Sequence, residues 1–273
     1  MYQLGWFSTG RDRAASDLLG TVQDNIERGE IRTEIAFVFC NRESGESDQS
    51  DRFLQLVRQH HIPLVCFSYQ KYRRARGERT PGPSEPMPQW RLDYDREVMA
   101  RLQGFQPDLC VLAGYMLIVG TEMCQRYNMV NLHPAAPGGP AGTWQEVIRK
   151  LIQDEAEETG VMMHLVTPEL DMGPPVAYCT FPIRGEPFDR YWQKLGRLPV
   201  NSPERHDARN SLFQLIRKHG LAREFPLIIA TLNTFGQGKI KITPDKKVVD
   251  SKVKPIKGYN LTNEINELVK GAL

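Results

Sequence analysis

Residues 34–40 read EIAFVFC, an almost unbroken apolar run. A strand of this composition is typical of a parallel sheet covered on both faces, because successive side chains point to opposite faces. Similar runs occur at residues 4–7, 63–67 and 109–113. Between the runs at 4–7 and 34–40, residues 14–26 carry apolar side chains at the three-to-four-residue spacing of a helix. The sequence therefore predicts an α/β fold: a Rossmann-like, mostly parallel twisted sheet with helices on both faces.

The pattern of strands and helices continues to residue 183 and then changes. Further helices are predicted at residues 53–57, 93–103 and 144–152, and two strands at 161–166 and 176–183 are joined by the loop 167–175. The C-terminal part shows helical patterns at 187–195, 203–219, 221–233 and 261–269, with a hairpin across 239–242 and 247–249. We therefore expect an α/β domain at residues 1–183 and, packed on it, an extension of helices and a small hairpin at residues 184–273.

Residues 73–90 interrupt this pattern with a run of arginines followed by a run of prolines. The residues concerned are Arg73, Arg74, Arg76, Arg79, Pro81, Pro83, Pro86 and Pro88. Proline lacks a backbone N–H, so the segment is not expected to form helix or sheet. One interpretation is a solvated loop, and the other is a basic surface flanking an anionic ligand.

Composition and charge narrow the class of protein. The 273 residues include 35 basic and 33 acidic side chains, and this net charge of +2 gives no indication of a nucleic-acid or membrane surface. No apolar run reaches the ~20 residues that a bilayer requires, and the first residues lack the pattern of a secretory signal. A cytoplasmic location is therefore expected. The five cysteines show no CxxC spacing, which argues against a disulfide framework or a metal site.

The short extended segment at residues 129–133 ends with two polar side chains, Asn131 and His133. Because they are two residues apart on a strand, they point to the same side. Asp171 follows another apolar run, and all three are expected at the carboxyl edge of the strands, where α/β sheets place ligands. Singly, such an Asn is most often a turn residue and such a His an exposed loop residue. Together they suit acyl transfer, in which an oxyanion needs a donor and an amine must lose a proton.

Four segments resemble the folate-dependent formyltransferase family. They read YDRE (94–97), PDLCVLAGYM (107–116), NLHP (131–134) and TGVMMHLVTPELDMGP (159–174). The resemblance is good over residues 91–183, is confined to the order of elements over the first 70 residues, and is poor over the last 90. Within the family, the glycinamide ribonucleotide enzymes are the most similar. The resemblance implies transfer of a formyl group from N10-formyltetrahydrofolate to an amine, with no metal.

The resemblance also implies roles for individual residues. Asn131 donates its amide to the formyl oxygen, His133 helps to hold that oxygen and passes a proton, and Asp171 orients the imidazole and assists removal of the amine proton. Leu117 stands where the family often has an arginine, and His164 matches a family histidine but is equally well explained as a core residue. The candidate folate-binding residues are Arg91, near the glutamate tail, with Met116, Leu117, Ile118, Val119, Thr167 and Glu169 around the pterin.

The acceptor side of the site departs from the family pattern. The family has a Gly-Asn-Gly-Ser-Asn loop after the first strand, and this chain has Ser-Thr-Gly-Arg-Asp-Arg at residues 8–13. Arg11 or Arg13 can pair with a phosphate, whereas Asp12 repels one. Trp144 either lines the amine site or anchors its helix. The candidate substrate-binding residues are Gly10, Arg11, Asp12, Arg13, Pro134 and Trp144, with Lys218 and Glu224 as weaker candidates.

Glycinamide ribonucleotide, an intermediate of purine biosynthesis, is the first candidate acceptor. The alternatives are an amino sugar nucleotide, an aminoacyl-tRNA, water in a formyltetrahydrofolate hydrolase, or no acceptor in a non-catalytic folate-binding module. The module needs none of the three polar residues, so their presence weighs against it. The expected partner is a small-molecule amine, phosphorylated or not, and a homodimer is a further option. A nucleic acid or a membrane is not expected.

Overall fold

The computed structural model describes residues 1–80 and 85–271. The strands are β1 (Tyr2–Ser8), β2 (Thr33–Cys40), β3 (Leu64–Cys66), β4 (Leu109–Leu112), β5 (Met129–His133), β6 (Glu158–Leu165), β7 (Pro175–Pro182), β8 (Ile240–Ile242), β9 (Val248–Asp250) and β10 (Tyr259–Asn260). The helices are α1 (Arg13–Glu27), α2 (Asp48–Gln59), α3 (Tyr69–Ala75), α4 (Gln89–Arg101), α5 (Thr121–Arg126), α6 (Trp144–Gln153), α7 (Asp189–Arg197), α8 (Pro203–Gly236) and α9 (Thr262–Val269).

Eight of these strands form one sheet in the order β10-β7-β6-β5-β4-β1-β2-β3. Neighbouring strands are parallel except at β6, which runs antiparallel to both β5 and β7. The chain moves outward from β1 to β3 and then returns to the other side of β1 at β4, so the order reverses between β1 and β4. Strands β8 and β9 pair separately as an antiparallel hairpin, as the sequence predicts. The mostly parallel sheet is confirmed.

Helices cover both faces of the sheet, and the alternation within β2 shows why its sequence is apolar throughout. Phe37 and Phe39 point into a core beneath α3, α4 and α5, while Val38 and Cys40 point into a core beneath α1, α2 and the second half of α8. All four side chains have 0% of their surface exposed. Side chains at both the odd and the even positions of this part of β2 must therefore be apolar, which confirms the expectation of a sheet covered on two faces.

Residues 203–219 and 221–233 form one helix, and the predicted break at residue 220 is wrong. Helix α8 runs for 34 residues and continues through Gly220 and Pro226. Glycine inside a helix costs about 1 kcal/mol relative to alanine, and proline removes one backbone hydrogen bond. Packing compensates for both, because Leu212, Ile216 and Leu227 on either side of these positions are buried.

The loop expected at residues 73–90 is shorter than predicted. Arg73 and Arg74 lie in α3, which begins where the Ser68 hydroxyl accepts a hydrogen bond from the Lys71 N–H at 3.0 Å. Tyr72 anchors this short helix, because its ring packs edge-on against that of Phe67 with 5.3 Å between centroids. Helix α4 likewise begins at residue 89 rather than 93. Of the prolines in this segment, Pro81 and Pro83 lie outside the described residues.

The C-terminal segment packs on the α/β body and also extends its sheet. Strand β10, which the sequence does not predict, pairs in parallel with β7, and the second half of α8 shares a core with β1 and β2. The domain boundary between residues 183 and 184 stays a prediction. Within the described part of the chain, none of the helices combines the length and the apolar character needed to cross a membrane. All five cysteines are free thiols.

Candidate active site

Two strands bring three polar side chains to one face of the sheet. On β5, Val130 points into the core beneath α1. Asn131 and His133 are one and three positions further along, so both side chains point to the opposite face. On β6, His164 pairs directly with Asn131 and therefore shares that face. Both histidines are only 2% exposed. The sheet thus holds an amide and two imidazoles side by side in a nearly water-free position.

Asp171 joins this group from the loop between β6 and β7. Its Oδ2 lies 3.7 Å from His133 Nδ1, and its Oδ1 lies 3.6 Å from His164 Nε2. The backbone N–H of Gly142 donates a hydrogen bond to Oδ2 at 3.2 Å. The carboxylate therefore lies between two imidazoles. The structure brings together the three residues that the sequence singles out and adds His164 to them.

Asp171 follows β6, which is not one of the parallel strands, and yet it reaches His133 at the carboxyl end of β5. Because β6 is antiparallel to β5, the loop after β6 must fold back to reach His133. Gly173 permits this return, since a Cβ there would lie 1.6 Å from the Leu165 carbonyl oxygen. Asp171 itself has a φ of 55°, a left-handed conformation in which aspartate is several-fold enriched.

Hydrogen bonds to carbonyl oxygens fix which ring nitrogen carries the proton in each histidine. His133 Nε2 lies 2.9 Å from the Pro140 oxygen, and His164 Nδ1 lies 3.0 Å from the Leu165 oxygen. A carbonyl oxygen only accepts, so these two nitrogens are the donors. In the tautomer of His164 with its proton on Nδ1, Nε2 presents a lone pair that accepts from Asn131 Nδ2 at 3.3 Å. This bond uses one amide N–H of Asn131 and leaves the other for a ligand oxygen.

Burial and neighbouring charges set the protonation states of the site. Burial lowers the pKa of His133 below its ordinary value of 6.5, although the Pro140 carbonyl and the Asp171 charge oppose this shift. For Asp171, burial acts to raise the pKa, but its interactions with the imidazoles of His164 and His133 and the hydrogen bond from the Gly142 N–H together lower it. A neutral imidazole beside an ionised carboxylate is therefore the state near pH 7. His133 can accept a proton, and Asp171 stabilises the imidazolium that results.

We expect an NMR titration of the His133 ring to give a pKa below 6.5, and Asp171→Asn to lower it further because the carboxylate charge favours the imidazolium. The sign for stability follows: below pH 6.5 the unfolded chain binds a proton that native His133 resists, so the free energy of unfolding decreases as the pH falls. Asp154→Asn, which removes one exposed carboxylate just after the C-terminal end of α6, serves as the control. A rise in the His133 pKa in Asp171→Asn would contradict the described electrostatics.

The segment expected to carry the folate follows β4 and exposes two large apolar side chains. Met116 is 51% exposed and Ile118 is 45% exposed, whereas Leu117 and Val119 pack into the core beneath α4. The backbone N–H of Met116 donates to the Thr9 hydroxyl at 3.0 Å, which ties the segment to the end of β1. Alternate residues of the segment are therefore presented to solvent on a fixed backbone.

The loop that carries Asp171 also exposes apolar side chains. Leu170 is 54% exposed and Met172 is 73% exposed, on either side of the catalytic candidate. Within the same loop, the Thr167 hydroxyl donates to the Glu169 carbonyl at 3.0 Å, so these two candidate folate-binding residues shape the loop backbone. Contiguous apolar exposure of this kind marks a ligand or interaction surface rather than ordinary protein surface.

Arg91 is buried within α4 rather than exposed in a loop. Its guanidinium is paired with Asp95 at 2.5 Å and donates to the Ile118 carbonyl at 2.6 Å. Asp95 in turn accepts from the Gly120 N–H at 2.8 Å. The pair thus fixes the Ile118–Gly120 end of the exposed apolar segment. A contact between Arg91 and the folate tail stays a prediction.

The turn between β1 and α1 is organised by a carboxylate. Asp12 caps α1 by accepting from the Ala15 N–H at 3.1 Å, and Gly10 has a φ of 57° that lets the turn pass close to Phe53. Arg11 and Arg13 are exposed and lie 4.0 Å and 3.4 Å from Asp12 and Asp17 respectively. A phosphate at this helix start would have to compete with the Asp12 carboxylate.

The remaining acceptor-side candidates lie where α6 and α8 meet. Trp144 begins α6, its ring packs against Phe213, and the Arg217 guanidinium lies 4.7 Å from its centroid, so the structure shows it anchoring its helix. Glu224 is paired with Arg217 at 2.5 Å. Pro134 and Arg217 line a narrow crevice beside His133. Lys218, one residue further along α8, stays a prediction.

Sequence reasoning undervalued His164 and did not identify Gly142 or Pro140. For His164 a signal was available, because it alternates with Met163 and Leu165, whose apolar side chains mark the opposite face of the strand. The Gly142 and Pro140 contacts involve backbone atoms only. Such contacts leave no trace in residue type, apart from the glycine and proline content of the loop at residues 137–142.

The chain is similar in sequence and in fold to known proteins. The chain is 26% identical over 168 residues to the phosphoribosylglycinamide formyltransferase of Escherichia coli, which covers 61% of this chain and 67% of that protein. It is 24% identical over 243 residues to the Haemophilus influenzae protein of the same name, with coverage of 88% and 92%. A solved structure of phosphoribosylglycinamide formyltransferase from Coxiella burnetii, in complex with CHES, superposes with a TM-score of 0.65 at 18% identity, covering 95% of this chain and 98% of the other.

A family model described as formyl transferase matches residues 13–187, which include all four polar residues of the site. That match spans more than half of the chain. The described residues contain no group of three or more His, Cys, Asp or Glu placed to hold a metal ion. On the strength of the family match, this chain belongs to the formyl transferase family of enzymes.

Proposed function

We propose that this enzyme transfers a formyl group from N10-formyltetrahydrofolate to the amine of glycinamide ribonucleotide. The observation that carries the proposal is the Asp171 carboxylate, held between His133 and His164 with the Asn131 amide beside them. Such a group supplies both an oxyanion donor and a proton acceptor at one place. Relatives with the name phosphoribosylglycinamide formyltransferase support glycinamide ribonucleotide as the acceptor.

The apolar side chains near the site fit a folate donor. Met116 and Ile118 on one segment, and Leu170 and Met172 on the other, expose apolar surface that a flat pterin ring can cover. Backbone groups of both segments can pair with the polar edge of that ring. The Arg91–Asp95 pair supports this surface from below, since it holds the Ile118 carbonyl. The candidate folate-binding residues of the sequence therefore remain our proposal for the donor side.

The chemistry assigns each polar residue a task. In the transfer, the amine nitrogen forms a bond to the formyl carbon, the bond from that carbon to N10 breaks, the amine loses a proton and N10 gains one. Asn131 donates its second amide N–H to the formyl oxygen as negative charge develops there, and one such donor is typically worth ~100- to 1,000-fold in rate. Neutral His133 takes the amine proton through Nδ1, and Asp171 stabilises the imidazolium. Contact of His133 Nε2 with the formyl oxygen requires exchange of its present partner, the Pro140 carbonyl.

The test is formyl transfer by the purified enzyme from N10-formyltetrahydrofolate to a panel of acceptors. We expect turnover with glycinamide ribonucleotide and little formyl release when no amine is present. The panel includes an amino sugar nucleotide and an aminoacyl-tRNA. Release without any amine would indicate a hydrolase, and tight folate binding without turnover would indicate a binding module. Preference for another amine would keep the transfer reaction and overturn the acceptor.

A further inference from the structure

A cleft of about 520 Å³ lies beyond the ends of β1, β2 and β3, on the far side of the β1–α1 turn from the polar cluster. Thr9 follows β1, Arg42 follows β2, and Gln70 lies in α3 after β3. The side chains used below are Thr9, Arg42, Glu46, Gln49 and Gln70, all of which line it. No residue singled out from the sequence, apart from Arg11, belongs to this cleft.

Thr9 connects the cleft to the donor side of the site. It is 3% exposed, its hydroxyl accepts from the Met116 N–H at 3.0 Å, and its own N–H donates to the Gly114 carbonyl at 3.1 Å. These bonds cross from β1 to the segment after β4, the point at which the strand order reverses. Ligands of open α/β sheets bind at such a reversal. Thr9 therefore lies between the cleft and the exposed apolar segment that we assign to the folate.

The spacing of the strands suits an elongated acceptor. His133 ends β5, and β1 lies two strands away in the order β5-β4-β1. Neighbouring strands are about 4.8 Å apart, so the end of β1 lies roughly 10 Å from that of β5, and the end of β2, which Arg42 follows, lies roughly 14 Å from it. An acceptor whose amine reaches Asp171 and whose body extends across the strand ends would place its far end beyond β1. That is where the cleft opens.

The lining of the cleft has the chemistry of a site for a phosphorylated sugar. Arg42 is held through Nη1 by Glu46 at 3.3 Å, and their side chains are 24% and 9% exposed, so the guanidinium is positioned rather than free to rotate. A fixed guanidinium is suited to bidentate binding of phosphate. The amides of Gln49 and Gln70 can both donate to and accept from sugar hydroxyls. The cleft is also lined by two carboxylates, Glu46 and Asp48, and by a second cation, Arg11, so its charges are balanced rather than acidic.

The turn between β1 and α1 is a poorer place for the same phosphate. Asp12 already accepts from the first turn of α1, and its charge opposes a second anion there. Arg11 and Arg13 lie beside carboxylates, as Arg42 does, but their side chains are 65% and 88% exposed. Arg42, which follows the neighbouring strand β2, is a partly buried cation that lines the cleft.

We propose that Arg42, assisted by Gln49 and Gln70, binds the phosphorylated sugar of the acceptor in this cleft. The proposal rests on the proposed function, because it assumes that the acceptor carries a sugar phosphate. A phosphate site in the β1–α1 turn would make the affinity for the acceptor depend on residues of that turn, whereas this proposal makes it depend on Arg42 after β2.

The test compares wild type with Arg42→Gln, Arg42→Lys and the control Arg28→Gln, which changes an exposed arginine at the opposite end of α1. Two quantities are measured: the KM for glycinamide ribonucleotide, and equilibrium binding of ribose 5-phosphate to the full chain without folate. We expect Arg42→Gln to weaken both by about 10- to 100-fold, as for loss of a hydrogen-bonded charge. The KM for the folate donor should stay unchanged, and Arg28→Gln should match wild type.

Binding of ribose 5-phosphate separates failure of this proposal from failure of the proposed function. If wild type formylates glycinamide ribonucleotide and Arg42→Gln leaves KM and binding unchanged, the function holds and the cleft assignment is overturned. If wild type does not use that acceptor but binds ribose 5-phosphate through Arg42, the cleft assignment holds and the acceptor is wrong. Wild type that binds no ribose 5-phosphate overturns the cleft assignment. Should Arg42→Gln fail to fold, Arg42→Lys keeps a charge for Glu46 but lacks the planar fork, and must still weaken binding.

Discussion

His133→Ala and Asp171→Asn are each expected to lower the rate constant of formyl transfer by at least ~100-fold while leaving folate affinity nearly unchanged. His133→Ala removes the group that takes the amine proton. Asp171→Asn keeps the shape of the side chain but removes the charge that stabilises the imidazolium, 3.7 Å away. Neither side chain is one of the exposed apolar side chains that we assign to the folate, which is why binding should survive.

Single-turnover rates measured at saturating folate and acceptor, together with calorimetric titration of tetrahydrofolate, give the two quantities separately. Asp154→Asn, which removes a surface carboxylate just after α6, is the control and should behave as wild type. The double variant is informative as well. Because the two residues act as a unit, the double variant should be about as slow as the slower single variant. Its rate should not fall by the product of the two single losses. Near-normal rates in either single variant would remove the basis of the catalytic assignment.

Gly173→Ala is expected to reduce the transfer rate by roughly 100-fold, although it replaces none of the polar residues of the site. A Cβ at this position would lie 1.6 Å from the Leu165 carbonyl oxygen, and that oxygen belongs to the backbone of β6 and cannot rotate away. The loop must therefore move, and Asp171, two residues earlier, moves with it. Forced overpacking of this kind also costs about 1–3 kcal/mol of stability.

The matched control is Gly196→Ala within α7, where an added Cβ meets nothing within 4 Å. It should retain activity and gain up to about 1 kcal/mol of stability, since alanine is the better helix former. Thermal unfolding and single-turnover rates of both variants provide the comparison. A fully active Gly173→Ala enzyme would mean that the position of Asp171 does not depend on the close packing of its loop.

The sheet could be predicted because both faces of each central strand are buried. In β2 the residues of either parity must be apolar, so a continuous run marks the strand and its parallel setting at once. The single helix α8 could not be predicted in the same way. Gly220 and Pro226 lower helix propensity locally, and only the tertiary packing of Leu212 and Leu227 outweighs them.

The site divides along a similar line. Asn131, His133 and Asp171 could be predicted from residue type and resemblance, because acyl transfer restricts the side chains that can perform it. The antiparallel direction of β6 could not be predicted, and neither could the position of Asp171 relative to the strand ends. Arg91 illustrates a different limit. It precedes the helix predicted at residues 93–103, whereas in the structure it lies inside α4, buried and paired with Asp95.

The pairing of β10 with β7 has a consequence for self-association. Strand β7 would otherwise be the last long strand of the sheet, with a row of unsatisfied N–H and C=O groups open to any other extended chain. Instead, the Leu261 N–H donates to the Tyr178 carbonyl, and the side chains of Thr262 and Asn266 bond the N–H and C=O of Thr180. The backbone groups of β7 at residues 177–180 are thereby engaged within the chain and are not open to pairing with an extended segment of another copy.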